Sequence, residues 1–187
     1  MKRALRGALK GTCPPPGASD AIQRRLIGQD WWAAAFQAGL YRATPSEPGT
    51  GMLWADLQAR GVRVACPMSR QGTYRWGWVD AQTRWRSGVH GIPEPAEAEA
   101  ANPRDLRIIV VPGVAFDVRG GRLGHGRGHF DRLLSPCAGL LVGLCFEVRL
   151  VEAVPMEPHD IPVDVVVTEK RMIFAAPAAA KLERLTG

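Results

Sequence analysis

Residues 106–111, with the sequence LRIIVV, form the stretch that decides the fold. This run is almost entirely aliphatic, and it lies between an aspartate and a Pro-Gly pair. A strand that is buried on both faces has this composition, because neither face needs polar side chains. Two further runs of this kind occupy residues 140–146 and 163–168. Their alternation with helical patterns predicts a single three-layer α/β/α domain over residues 1–187, with a mostly parallel central sheet.

Helical patterns are clearest in the first third of the chain. The basic segment 1–10 and residues 52–60 both carry apolar side chains at helical spacing. A further helix is expected to begin at Ser19, with that serine as its N-cap, and to continue to Ile27. Residues 31–43 stay open between helix and strand, because an alanine-rich segment leads into Gly-Leu-Tyr.

Other short patterns predict strands, loops and one more helix. Residues 62–66 alternate like a strand that ends at Pro67, and residues 73–79 also favour a strand. Residues 92–103 contain three prolines and three glutamates, which is typical of a surface loop. Residues 130–134 have the pattern of the start of a helix.

Length and composition exclude several classes of protein. A chain of 187 residues with 46% hydrophobic and 22% charged residues is typical of one globular domain. The uncharged stretch 133–146 contains a proline and is shorter than the roughly 20 apolar residues that cross a bilayer. No apolar segment of the signal-peptide type follows the basic first residues. We therefore expect a cytoplasmic protein without a membrane partner.

The cysteines predict reduced thiols. Cys13, Cys66, Cys137 and Cys145 include no CxxC pair, so neither a zinc ribbon nor a dense disulfide framework is indicated.

The net charge is +6, from 24 lysine and arginine residues against 18 aspartate and glutamate residues. The surplus lies in residues 1–86 and is scattered, without a run of five like charges. Such an excess is compatible with nucleic acid, but equally with a nucleotide phosphate or an acidic substrate. Charge alone therefore leaves the partner open.

The strongest functional signal is the segment GGRLGHGRGHFDRLL, residues 120–134. Five of its first nine residues are glycine, and Arg122, His125 and Arg127 lie between them. Glycine allows backbone amides to converge on an anion, and arginine adds paired hydrogen bonds to phosphate oxygens. The segment matches neither GxxxxGK[ST] nor GxGxxG. It predicts a phosphate site, and the alternative is a flexible turn between a strand and a helix.

Candidate metal ligands lie in and near this segment. Asp131 offers carboxylate oxygens of the kind that Mg²⁺ prefers. His125 and His129 are four residues apart, and His159 could complete a zinc site. We favour magnesium, because the glycines around His125 oppose a helix and no HExxH motif is present.

Four blocks of the chain resemble one enzyme family, the 5-formyltetrahydrofolate cyclo-ligases, also called methenyltetrahydrofolate synthetases. Residues 111–134, VPGVAFDVRGGRLGHGRGHFDRLL, resemble the family's nucleotide loop, and residues 154–169, VPMEPHDIPVDVVVTE, resemble its C-terminal signature. Residues 2–6, KRALR, are similar to its N-terminal Lys-x-x-x-Arg. Residues 45–50, PSEPGT, are similar to its substrate-binding segment. Four blocks in the right order are more specific than any one of them.

The resemblance implies an enzyme that uses ATP and Mg²⁺ to convert 5-formyltetrahydrofolate into 5,10-methenyltetrahydrofolate, with ADP and phosphate as the other products. Phosphorylation of the formyl oxygen makes it a leaving group, and N10 of the folate then closes the ring. One alternative is a nucleotide- or RNA-binding protein that keeps the fold without this activity. Another is a related ATP-dependent enzyme for a different acylated amine. With the first interpretation we expect a monomer and no nucleic-acid partner.

The resemblance also implies a set of site residues by position. The ATP-binding residues are Lys2, Arg3, Ala4, Leu5, Arg6, Arg122, Leu123, Gly124, His125, Gly126, Arg127, Gly128, His129 and Phe130. The folate-binding residues are Glu47, His125, Gly126, Arg127, Gly128 and His129. The magnesium ligands, directly or through water, are Asp131 and Asp160.

Arg127 and His129 are the implied catalytic residues. The family usually has two tyrosines where this chain has His129 and Phe130. A neutral imidazole can replace a phenol as a hydrogen-bond donor, but it titrates near neutrality. From the sequence, neither Arg127 nor Asp131 has an obvious role in the core.

Overall fold

The structure is a computed structural model that describes residues 1–88, 91–126, 128–176 and 178–186. Its strands are β1 (Gln37–Gly39), β2 (Arg63–Arg70), β3 (Thr73–Val79), β4 (Trp85–Ser87), β5 (Pro93–Pro95), β6 (Ile108–Val111), β7 (Ala115–Asp117), β8 (Arg122–Leu123), β9 (Leu140–Leu144), β10 (Leu150–Val151), β11 (Val165–Val167) and β12 (Met172–Phe174). Its helices are α1 (Lys2–Ala8), α2 (Ala18–Ile27), α3 (Asp30–Ala33), α4 (Gly51–Ala59), α5 (His129–Leu134) and α6 (Ala178–Thr186).

A seven-stranded sheet forms the centre, in the order β12-β11-β9-β6-β1-β2-β3. The five strands from β11 to β2 are parallel, and β12 and β3 add antiparallel hairpins at the two edges. From β1 the chain first moves to β2 on one side, and later to β6, β9 and β11 on the other. In such sheets the loops at the point of reversal diverge beyond the carboxyl ends of the strands and leave a crevice. Here that point lies between β1 and β6.

Both faces of the sheet are covered, which confirms the predicted mixed α/β fold with a mostly parallel sheet. Ile108 and Val110 of β6 pack in one buried cluster with residues of α2, α3, α4 and α6. Ile109 and Val111 pack in a second cluster with Leu133 of α5. All four residues of β6 are buried, as the aliphatic composition of the strand requires.

The second face also carries a small sheet, in the order β10-β7-β8. Phe116 of β7 lies directly on β9, since a Cβ added to Gly143 would come within 2.4 Å of its ring. Only glycine allows this approach. The contact sets the height of β7 and β8, and therefore of the glycine-rich segment that follows, above the main sheet.

Several local predictions are wrong for identifiable reasons. The N-cap of α2 is Gly17 rather than Ser19, whose Oγ instead accepts a hydrogen bond from Gly49 N at 2.8 Å. Strand β2 continues through Pro67, because β1 ends opposite Ala65 and leaves the proline on a locally free edge.

The structure contradicts the loop predicted for residues 92–103 and settles the open assignment of residues 31–43. The predicted loop 92–103 contains β5, which pairs with β4. Residues 31–43, left open by the sequence, contain the end of helix α3 and then strand β1. The predicted strand 73–79 is confirmed as β3.

The four cysteines are free thiols, as predicted. Burial raises the pKa of Cys66 and of Cys145 to about 12, so neither is a reactive thiolate near neutrality. Among the helices of the described residues, none has the length and apolar character needed to cross a membrane.

Asp117 stabilises the turn that leads into β8. Its buried carboxylate accepts hydrogen bonds from the backbone N–H groups of Arg119 (2.9 Å), Gly121 (2.9 Å) and Val154 (2.8 Å). A buried donor without an acceptor costs about 1 to 3 kcal/mol. We therefore expect Asp117→Ala to lower the free energy of unfolding in urea by about 3 kcal/mol or more.

The matched control for this variant is Asp80→Ala, since Asp80 also caps a turn but is exposed. That variant should lose less than about 1 kcal/mol. Equal losses for the two variants would show that burial of the Asp117 carboxylate contributes nothing.

Candidate active site

A cavity of about 380 Å³ lies at the carboxyl ends of β1 and β6. Most of the residues that the sequence singled out line it, although they come from distant parts of the chain. They are Lys2, Arg6, Glu47, Arg122, Gly124, His125, Gly126, Gly128, His129, Phe130, Asp131 and Asp160. The reversal of strand order therefore brings the four sequence blocks together.

Five of the sequence-derived residues do not belong to the described lining. Arg3 and Ala4 are exposed on α1, whereas Leu5 packs beside buried Leu123 in an apolar cluster that attaches this helix. Arg127 lies outside the described residues.

Lys2 joins α1 to the C-terminal signature. Its Nζ donates to Asp160 Oδ2 at 2.5 Å and to Glu157 Oε2 at 3.1 Å. Partial burial alone would lower the pKa of Lys2, but the hydrogen bonds and charges of the two carboxylates outweigh this and raise it above the usual 10.5. Burial likewise would raise the pKa of Asp160, but Lys2 and the backbone of Glu157 hold it below the usual 3.8. The pair is therefore fully charged at neutral pH.

Arg6, one turn further along α1, contacts the glycine-rich segment. Its Nε donates to the carbonyl oxygen of Gly124 at 2.8 Å. At Gly126 the backbone has a φ of 99°, and an added Cβ would lie 3.2 Å from the Arg6 guanidinium. Glycine is therefore needed here both for the backbone conformation and for the approach of the arginine.

Arg122 and Asp131 form a second ion pair, with 2.6 Å between Nη2 and Oδ1. Only 4% of the Arg122 side chain is exposed, and the same Asp131 oxygen also accepts the backbone N–H of Ile161 at 3.2 Å. Asp131 thus compensates a buried cation and holds the C-terminal signature. The expectation that Asp131 has no role in the core is wrong, because the pairing depends on the tertiary structure.

Glu47 faces the opposite wall of the cavity from a loop after β1. Its side chain is only 4% exposed. Oε2 accepts from both the backbone N–H and the hydroxyl of Thr44, each at 2.9 Å, whereas Oε1 lies 3.2 Å from His125 Nε2. The glycine-rich segment thereby touches the Glu47 loop across the cavity.

Arg149 ties the Glu47 loop to the segment after α1. This half-buried guanidinium donates to the hydroxyl of Thr12 at 3.1 Å, to the carbonyl of Thr12 at 3.3 Å and to the carbonyl of Ser46. Arg149 therefore fixes the position of the Glu47 loop relative to the segment that follows α1.

Comparisons with known proteins agree with this geometry. The model of the 5-formyltetrahydrofolate cyclo-ligase family matches residues 3–169. The chain belongs to this family. The 5-formyltetrahydrofolate cyclo-ligase of Mycolicibacterium smegmatis is 34% identical over 72% of this chain and 74% of its own length. The mouse (Mus musculus) cyclo-ligase is 32% identical over 90% and 93%.

Solved structures extend the likeness to the fold. The 5,10-methenyltetrahydrofolate synthetase of Aquifex aeolicus superposes with a TM-score of 0.81 at 29% identity, over 94% of this chain and 91% of that one. The synthetase of Mycoplasma pneumoniae has a TM-score of 0.70 at 17% identity, over 90% and 98%, and supports the fold alone.

The family resemblance implies tyrosines at the positions of His129 and Phe130, and the structure places another aromatic residue beside His129. The ring of Tyr74, from β3, lies 4.9 Å from the ring of His129 between centroids. Tyr74 also lines the cavity. A phenol is therefore present beside the altered pair, although it comes from a different element of the chain.

The acidic residues suit a hard cation. Ligand atoms of Glu157, His159 and Asp160 lie within 4.8 Å of one another, and this is the only such group of three in the described part of the chain. The residue after Asp160 donates its N–H to Asp131, so the two sequence-derived magnesium ligands lie at neighbouring positions. Carboxylate oxygens at such a place fit Mg²⁺ beside phosphates. His125 contacts Glu47 rather than that group, which argues against the zinc alternative.

Several lining residues escaped the sequence analysis. They include Tyr41, Arg42, Thr44, Tyr74, Glu94 and Glu157. The signal for Tyr41 and Arg42 was their position just after a strand of a parallel sheet, but β1 has only three residues and was not identified as a strand. Nothing in the sequence places Tyr74 near His129.

The charge state of the Lys2–Asp160 pair predicts how stability depends on pH. Asp160 stabilises the fold above pH 3.8, and this is lost as the pH falls through its lowered pKa. Lys2 contributes below pH 10.5, and its contribution is lost as the pH rises through its raised pKa. We therefore expect Lys2→Met to be less stable than the wild type by about 1 kcal/mol near neutrality, with the difference shrinking below pH 3.8.

Urea unfolding across a pH series measures this difference. Lys10→Met is the control, since Lys10 is an exposed residue just beyond α1. It should show no pH-dependent difference from the wild type. A Lys2→Met difference that stays constant from pH 7 to pH 3 would contradict the ion-pair assignment.

Proposed function

We propose that this protein catalyses the ATP-dependent conversion of 5-formyltetrahydrofolate into 5,10-methenyltetrahydrofolate. The observation that carries the proposal is the cavity of a cyclo-ligase family member, in which a cluster of paired cations and carboxylates faces a buried glutamate. Such a cavity suits two substrates that must meet, one anionic and one rich in N–H groups. The chemistry requires both to be held in line during transfer.

ATP, when bound, supplies the γ-phosphoryl group that makes the formyl oxygen a leaving group, and Mg²⁺ supplies charge neutralisation. The role of the chain itself is to bind and orient the two substrates. Lys2 and Arg6 present an ammonium and a guanidinium from one face of α1, and Gly124 and Gly126 keep the backbone close to them. Sequence position adds Arg127 to this group. These donors suit phosphate oxygens.

The ion pairs in the cavity support joint binding of phosphate and metal. Lys2 is paired with Asp160, and Arg122 is paired with Asp131, so these two cations each face a carboxylate of the metal end, whereas Arg6 donates to the carbonyl of Gly124. Binding of phosphate alone would draw a cation from its carboxylate and leave that carboxylate poorly compensated. A divalent cation that binds together with the phosphates compensates the carboxylates, while the protein cations compensate the phosphates. We therefore infer that the nucleotide binds as its magnesium complex.

Glu47 is the proposed ligand for the pterin part of the folate. Thr44 holds Oε2 through two hydrogen bonds, so Oε1 keeps a fixed direction towards the cavity. A carboxylate is acceptor-only when ionised, and the edge of a pterin offers N–H donors. The neighbouring His125 then serves as the link between this contact and the glycine-rich segment.

Several expectations from the sequence stay predictions. These are a monomeric state, the absence of a nucleic-acid partner, a cytoplasmic location and a single domain over residues 1–187. The catalytic roles of Arg127 and His129 have the same standing.

The activity itself is tested by following methenyl absorbance with 5-formyltetrahydrofolate, ATP and Mg²⁺. The wild type should form the product. Glu47→Gln should lower kcat/KM for the folate by about 10- to 100-fold, as expected for loss of a charge-assisted hydrogen bond, and leave KM for ATP within about twofold.

Exposed Glu97 provides the control, and Glu97→Gln should behave like the wild type. Absence of product from the wild type would refute the proposed function. An unchanged Glu47→Gln would refute the role of Glu47 alone.

His129 predicts a pH dependence of turnover. If its imidazole donates a hydrogen bond at the reacting centre, activity should show a step near neutral pH, where histidine ordinarily changes charge. His129→Tyr should lack the step. Identical pH profiles of kcat/KM for the two proteins would exclude this role.

A further inference from the structure

Arg42 occupies an unusual position in the cavity wall. It follows β1 by three residues, and its guanidinium lies between two indole rings, 4.2 Å from the ring centroid of Trp54 and 4.3 Å from that of Trp85. The two indoles meet edge to face, with 6.1 Å between centroids. A planar cation stacked on aromatic faces is attracted to both rings and has few alternative rotamers. The charge of Arg42 is therefore held at one place in the cavity.

This guanidinium has no anionic partner in the part of the chain that the structure describes. Its Nε is buried without a hydrogen bond, and no carboxylate of the described residues lies within 4 Å of its nitrogens. The other lysine and arginine side chains of the described lining are already engaged. Lys2 and Arg122 are paired with carboxylates, and Arg6 donates to a carbonyl. A half-buried cation without a carboxylate partner keeps N–H donors available, which indicates a place for an external anion.

Glu94, a candidate for an internal partner of Arg42, is already engaged elsewhere. Glu94 lines the same cavity and is buried, but its Oε1 lies 2.8 Å from Arg86, and its Oε2 accepts the N–H of Ser69 at 3.2 Å. The rest of this part of the wall is apolar, with Pro67, Ile92 and Pro93. Low polarity strengthens a charge-assisted hydrogen bond to whatever anion enters.

Arg42 and the phosphate end belong to different sides of the crevice. Trp54 lies on α4 and Trp85 on β4, and α4 and the β4–β5 hairpin both contact β2, on one side of β1. Asp131 lies on α5, whose Leu133 and Leu134 pack in the cluster on the other face of the sheet from Trp54. An anion at Arg42 is therefore distinct from the phosphates of a nucleotide.

We propose that Arg42 binds a carboxylate of the glutamate tail of the folate substrate. This inference rests on the proposed function, because the anionic groups of a 5-formylated folate are the carboxylates of that tail. A guanidinium matches a carboxylate with two parallel hydrogen bonds, which an ammonium cannot do. Arg42 thereby sets specificity for folates that carry glutamate, whereas Glu47 binds the pterin.

The test compares 5-formyltetrahydrofolate with the primary amide of 5-formyltetrahydropteroate, a pteroate compound that lacks the glutamate tail and carries no carboxylate. Arg42→Met should lower kcat/KM for the folate by about 10- to 100-fold and change the value for the pteroate compound by less than about threefold. Arg42→Lys should fall between these limits, because it keeps the charge without the paired geometry. Equilibrium binding of both compounds without ATP should show the same pattern in Kd.

A matched control separates tail binding from loss of stacking. Arg63 also lies on an indole, 4.1 Å from the ring centroid of Trp78, but does not line this cavity. Arg63→Met should leave both substrates unaffected. Thermal unfolding of each variant checks that the fold is intact. If Arg42→Met does not fold, Arg42→Lys replaces it in the comparison of the two substrates.

Three results would overturn the proposal. An equal loss for both compounds would make Arg42 a structural or pterin-contacting residue. An unchanged Kd and kcat/KM for the folate would remove any role in binding. A wild type that neither binds nor converts either compound would refute the proposed function and this inference together, and that result differs from the first two.

Discussion

The backbone pairing of β1 with β6 is the constraint on which the rest of the molecule depends. Gln37–Gly39 and Ile108–Val111 are separated by about 70 residues, yet Ala38 pairs with Ile108 and Gly39 with Ile109 in parallel register. Because the chain leaves these two strands in opposite directions across the sheet, their carboxyl ends cannot be covered by a common connection. The cavity is the space that results. The charged residues of the cavity are positioned around these two strand ends.

Charge compensation governs the chemistry of that space. In the cavity, cations and carboxylates occur mostly as pairs, Lys2 with Asp160 and Arg122 with Asp131. Paired charges are tolerated at low exposure, and they can exchange partners when a ligand of mixed charge enters. Arg6 and Arg42 differ, since Arg6 donates to the carbonyl of Gly124 and Arg42 contacts two indole rings rather than a carboxylate. Such an exchange suits a magnesium complex, whereas an uncompensated cation suits a simple anion.

The sequence predicts the parts of the fold whose signal is local. The β6 run is buried on both faces, and its composition alone identifies it. Strand β1 has three residues and ends in Gly39, whose missing side chain makes room for Trp76, so its identity depends on a partner far along the chain. The same holds for the site. Glu47 and the glycine-rich segment lie in recognisable sequence blocks. The role of Arg42 could not be predicted, because it depends on contacts with Trp54 and Trp85 that no local pattern indicates.

Arg149 has a consequence for how the two binding regions can move. One guanidinium is hydrogen-bonded to Thr12, just beyond the helix that carries Lys2, and to Ser46, which precedes Glu47. These hydrogen bonds couple the two segments, so a displacement of the amino-terminal helix would also shift the loop that carries Glu47. Movements on the two sides of the crevice would thereby be correlated through Arg149, a residue outside the cavity lining.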